Sequence, residues 1–109
     1  MMRALVPVML LAALSCSSTV SAQDPVRKGK DVYTAQKCSV CHAIAGAGNK
    51  KGALDDVGAK ISAADIRSWI TDAPAMAAKA KAERKPAMKA YMLAKDDLDA
   101  LVAYLQTLK

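Results

Sequence analysis

Lys37-Cys38-Ser39-Val40-Cys41-His42 is the stretch that decides how the rest of the chain is read. Two thiols three residues apart, followed at once by an imidazole, form C-x-x-C-H, the pattern of c-type haem attachment. The spacing has a physical reason. Each thiol can bond one vinyl group of a porphyrin, and the adjacent histidine is then forced under the ring, where its imidazole reaches the iron. Three other readings compete. A dithiol redox pair calls for a thioredoxin-like sheet, and no strand pattern is present. A zinc site needs four ligands, but His42 is the only histidine among the 109 residues. A disulfide between Cys38 and Cys41 would leave His42 without a role.

The third cysteine, Cys16, lies in a segment of different character. Residues 1–22 begin with the basic Arg3, continue in an apolar run from Ala4 to Leu14 and end in the small residues of Ser15 to Ala22. That is the layout of a secretory signal peptide cut after Val20-Ser21-Ala22. The run is too short to span a bilayer, which takes about 20 apolar residues. A lipoprotein signal, acylated at Cys16, is the rival, but Ala13 stands where leucine is usual. The expectation is therefore a signal peptide over 1–22, an exported, periplasmic domain over 23–109 and no membrane span.

A domain of this size buries only about 60% of its unfolded surface and needs a staple. The chain has no Phe, and its aromatics are Trp69, Tyr33, Tyr91 and Tyr104. Such a core asks for apolar bulk from outside the polypeptide, which a haem supplies. The formal net charge is +6, one charge of which is Arg3. A basic surface favours acidic partners. Export and the lack of any nucleic-acid motif argue against nucleic acid.

The remaining sequence reads as helices and long loops. Asp24-Pro25 is a helix start, with Asp as cap and Pro at the first helical position. Val26, Gly29 and Tyr33 then share a face, and the helix is expected to run to about Lys37. Residues 43–60 carry Gly46, Gly48, Gly52 and Gly58 with little periodicity and read as a wrapping loop. Ser62 caps a second helix with Asp65 three residues on, Ile61 able to staple to Ile66, and Ile66, Trp69 and Ile70 on the buried face. Pro74 should stop it. Residues 75–85, rich in Ala and Lys, suit a short exposed helix ended by Pro86. Leu98, Leu101, Val102, Leu105 and Leu108 mark the apolar stripe of a final helix. Asp96 and Asp97 suit its N-terminal dipole. Ala94 is a poor cap, so Leu93 packing on Leu98 would have to help.

Taken together, Gly29-x-x-x-Tyr33, the C-x-x-C-H, the Gly-rich loop with Gly52-Ala53-Leu54 and Val57-Gly58, the Trp69-Ile70 helix, a methionine-bearing loop and Leu101-Val102-Ala103-Tyr104-Leu105 resemble the class I monohaem cytochromes c over about residues 25–109. The resemblance implies an all-α small cytochrome c fold: three to five helices and long loops wrapped around one covalently bound haem c. It implies that Gly29 makes room for the first and last helices to cross, with Tyr104 packed there. A glycine inside a helix costs about 1 kcal/mol and has a packing reason.

The resemblance also implies a methionine as the second axial ligand, which raises the reduction potential. The candidates are Met76, Met88 and Met92. Met88 follows Pro86 in the loop before the last helix, the family's setting. Met92 would pack in the core or on the ring. Met76 lies in the Ala/Lys segment. The family's histidine gives its second N–H to a carbonyl, often that of a proline after a glycine; here Ala53 follows Gly52, a departure, and its carbonyl could serve. Trp69 either donates its indole N–H to a haem propionate or simply covers the ring edge.

The function implied is that of a monohaem electron carrier, not an enzyme, probing redox partner proteins as a monomer. Lys37, Lys50, Lys51, Lys85 and Lys89 are the cations expected near the docking edge, where they would speed encounter with acidic surfaces. Two alternatives stay open: a haem-bearing electron-outlet subunit of a larger oxidoreductase, and a haem ligand-binding sensor with a labile sixth ligand.

Overall fold

The computed structural model describes residues 23–109, together with Ala12 before them. The signal-peptide and Cys16 expectations therefore lie outside the described residues. Five α-helices are present among them, with very little strand. These are α1 (Gln23–Ala35), α2 (Val57–Lys60), α3 (Ala63–Thr71), α4 (Ala73–Ala80) and α5 (Lys95–Gln106). The expected all-α architecture holds. None of these helices is long and apolar enough to cross a membrane.

The fold is organised by one crossing. α1 lies against α5 more extensively than any other pair of elements meets. Gly29 is buried at that crossing, and a Cβ there would run into the Ala100 carbonyl and come within 2.6 Å of Tyr104 Cβ. The helix tolerates the weak helix former because the approach requires it. Val32 and Tyr33 of α1 then meet Leu101, Val102 and Leu105 of α5, and α3 closes the core with Ile66 and Ile70. Tyr33 and Tyr104 meet edge to face, with ring centroids 6.0 Å apart.

Several boundaries differ from the sequence expectation. α1 stops at Ala35, and Lys37 turns the chain left-handed at φ 57°. Asp24 falls inside the first turn of α1 rather than before it. Ser62 caps α3 as expected, its hydroxyl accepting from the Asp65 N–H at 3.2 Å. Pro74 does not stop α3, which has ended at Thr71; it occupies the first turn of α4 instead, where its missing N–H costs no hydrogen bond. α4 ends on the left-handed Lys81, well before Pro86. α5 begins without a side-chain cap at Ala94, as its sequence implied, while Leu93 and Leu98 both pack on the core.

The loop after His42 contains a short antiparallel pair, β1 (Ala43–Ile44) and β2 (Ala47–Gly48), that the glycine-rich sequence did not announce. Ala45 and Gly46 form its two-residue turn, with φ of 50° and 82°, matching the left-handed turns that suit hairpins. The Asp55 carboxylate holds the turn by accepting from the Ala45 N–H at 2.6 Å.

Candidate functional site

The loop from His42 to Asp56 is folded back on the thiol motif, and that reversal builds one side of the site. Cys38–Val40 forms a single 3₁₀ turn, and the His42 N–H bonds the Cys38 carbonyl at 2.9 Å. Asn49 ties the returning loop down. Its N–H reaches the carbonyls of Ser39 and His42, its side-chain amide donates to Val40 at 3.3 Å, and its side-chain oxygen accepts from Lys51 at 3.1 Å. The next turn, Lys50–Gly52, delivers the Gly52 carbonyl to within 2.9 Å of His42 Nδ1.

That contact fixes a tautomer. A carbonyl only accepts, so Nδ1 must carry the proton, and the lone pair is left on Nε2. Burial holds the imidazole below its usual pKa, and the nearby Arg84 cation adds to this against the opposing pull of the Gly52 carbonyl. Neutral imidazole with a free Nε2 is the form that binds a metal. The carbonyl belongs to Gly52, not to Ala53 as the sequence suggested. Ala53 stands opposite Ala43 in an isolated parallel bridge, in which the Ala43 carbonyl accepts from the Leu54 N–H at 2.8 Å.

Behind the motif lies a cavity of about 630 Å³, within the range of cofactor sites. Cys38, Cys41 and His42 line it together with Leu54, Ile66, Trp69, Ile70, Leu101 and Met88. The site thus brings together residues from the turn after α1, from α3, from α5 and from the segment before α5. The two thiols are unbridged. Burial pushes the Cys38 thiol up, keeping it neutral. Among the described residues no cluster of three or more His, Cys, Asp or Glu side chains is assembled. The geometry therefore favours neither the disulfide nor the zinc reading.

The methionines separate clearly. Met88 is half-buried and lines the cavity. Met92 is fully exposed, which corrects the expectation that it packs in the core or on a ring. Its neighbours Tyr91 and Leu93 turn inward instead, and in extended chain the residue between them points away. Met76 lies in α4 and is not part of the cavity wall. Trp69 lines the cavity, and its indole makes no hydrogen bond among the described residues. Of the five lysines considered, Lys37 and Lys89 border the cavity, while Lys50, Lys51 and Lys85 are not in its wall.

Two features escaped the sequence. Tyr33 lines the cavity with its hydroxyl buried and unpartnered. Burial, with Cys38, Tyr104 and Asp55 nearby, pushes its pKa up to about 12. Arg84 also lines the cavity and donates to the Cys41 carbonyl at 2.5 Å across 43 residues of sequence. It is the lone guanidinium among the lysines of residues 79–89, the one signal that could have singled it out.

An apolar cavity, two unbridged thiols at its wall, an imidazole with a preset tautomer and an orphaned buried hydroxyl fit a large, flat, covalently held group. Comparison with curated proteins and with solved structures returns no match. A family model described as Cytochrome c matches residues 26–109. The chain belongs to the cytochrome c family, whose cofactor is covalently bound haem c with its iron.

Proposed function

We propose that this chain is a monohaem electron carrier in which Cys38 and Cys41 form the two thioethers and His42 and Met88 are the axial ligands. Haem-based electron transfer follows from the family; the ligand set is the finer reading. The observation that carries it is the shared cavity of His42 and Met88, one with its Nδ1–H committed to the Gly52 carbonyl and the other drawn from a segment over 40 residues away. Bound haem c supplies a one-electron Fe(II)/Fe(III) couple. The protein's share would be to hold the iron through His42 and Met88 and to keep water out with Leu54, Ile66, Ile70 and Leu101. A methionine thioether also raises the potential relative to a second nitrogen ligand.

Trp69 is suited to give its free indole N–H to a propionate. At the cavity mouth Lys37, Arg84 and Lys89 are exposed and would steer acidic redox partners, an effect that weakens as salt screens it. With both iron ligands supplied by His42 and Met88, the chain would act as a carrier rather than an enzyme. We further propose export, with 1–22 removed and a monomeric domain 23–109 acting in the periplasm. N-terminal sequencing of the purified haem protein checks this, and a retained Met1 or an acylated Cys16 would contradict it.

A redox titration with optical spectra on wild type and Met88→Ala tests the ligand set. Wild type should show the long-wavelength charge-transfer band of methionine-ligated ferric haem, and the variant should lose it. A band that survives the substitution refutes Met88.

A further inference from the structure

We infer that Arg84 is a positioning residue for Met88, clasping the segment that carries Met88 to the motif that carries His42. The inference rests on the reading of Met88 as an axial ligand.

The segment between α4 and α5 has almost no backbone support. Its first anchor is the Ala82 N–H on the Ala77 carbonyl at 2.9 Å, and the next is the Tyr91 N–H on the Ile70 carbonyl at 2.8 Å. Among the described residues, no backbone–backbone hydrogen bond involves residues 83–90. Met88 lies inside that unsupported stretch. The bond from Arg84 to the Cys41 carbonyl is the cross-link within it. Shortening the free stretch contributes little, because loop entropy grows only with the logarithm of length. The larger part is the bond itself, a charge-assisted contact from a cation to a carbonyl.

A second observation shows that the receiving side is shaped for this contact. A Cβ at Gly52 would collide with the Arg84 guanidinium and with the Cys41 carbonyl, and would lie 2.9 Å from His42 Nδ1. The absence of a side chain at 52 is what lets the guanidinium, the Cys41 carbonyl and the His42 ring converge. One point therefore joins the thiol motif, the histidine and the Met88 segment. The planar fork matters as well as the charge, since a lysine ammonium is a shorter, more strongly hydrated donor.

The test uses the intact ferric holoprotein and imidazole as a competing ligand. Arg84 is exposed, so its replacement leaves the core untouched. In Arg84→Met, imidazole should displace the methionine with an apparent Kd about fivefold lower than in wild type, less than the full worth of a charged hydrogen bond because the site is open to solvent. Arg84→Lys should recover part of the difference. Gly52→Ala, which crowds the guanidinium from the other side, should shift the Kd in the same direction. An Arg84→Met Kd within twofold of wild type, with the methionine band present in wild type and absent in Met88→Ala, overturns the clasp alone. A wild type without that band, or a Met88→Ala that keeps it, overturns the ligand reading and the clasp with it.

Discussion

The α1–α5 crossing and the segment 82–94 are both close to the haem cavity, yet they are built in opposite ways. The crossing is supported everywhere: two continuous hydrogen-bond ladders, a buried glycine at the closest approach and an interlocked apolar face. Segment 82–94 has neither helix nor strand and is tied at a few points. Packing of the first kind tolerates little change, because interiors are close-packed and transmit strain. A structure of the second kind can change its grip by one side chain without disturbing the core. The fold thus resides in the crossing, and the proposed second iron ligand, Met88, resides in the segment.

The comparison breaks most severely at Gly29. Gly29→Val places side-chain atoms into the Ala100 carbonyl and Tyr104; a loss of about 3 kcal/mol or more is expected, read as a collapse of the denaturation midpoint of the holoprotein. Met88→Ala strikes the other region. It should abolish the ferric methionine band while far-UV circular dichroism stays at the wild-type level; a large loss of helix would mean that the segment supports the fold after all. Tyr33 offers a pH test of the crossing. Its folded pKa is raised to about 12 from 10.0, so the folded state holds the proton where the unfolded state has released it. Stability is full below about pH 10 and falls as pH rises toward 12. Tyr33→Phe should flatten that fall in chemical denaturation series at several pH values. Ser62→Ala, which removes the cap of α3, is the smallest change, expected to cost about 1 kcal/mol with the optical spectrum unchanged.

The same contrast explains what was legible in the sequence. α1, α3 and α5 announced themselves because each buries one stripe at helical spacing, and Ser62 added a side-chain cap. The all-α architecture, the Gly29 crossing and the C-x-x-C-H could be read without a structure. Pro74 misled, since proline is tolerated in a helix's first turn as readily as it ends the preceding helix. The carbonyl facing His42 could not be assigned between Gly52 and Ala53, because that depends on where the 3₁₀ turn Lys50–Gly52 ends. The exposure of Met92 and the reach of Arg84 depend on the path of an extended segment with no periodicity to betray its inward face. Met88 stands out in the sequence by its setting after Pro86 and before the last helix, and it lies in the cavity wall.

The crossing also sets an order in time. α1 and α5 stand at opposite ends of the described chain, so their meeting closes a loop that contains nearly everything else, and that entropic cost falls on the folding rate rather than on the final stability. Until α5 arrives, Gly29 faces no partner and the cavity lacks the wall formed by Leu101 and Leu105. Cys38 and Cys41 belong to a local turn whose own hydrogen bonds run among residues 37–42 and need no residue of α5. The thiols are therefore presented before the pocket shuts over them, a window in which the cofactor can be joined to the chain, after which the last helix seals it in.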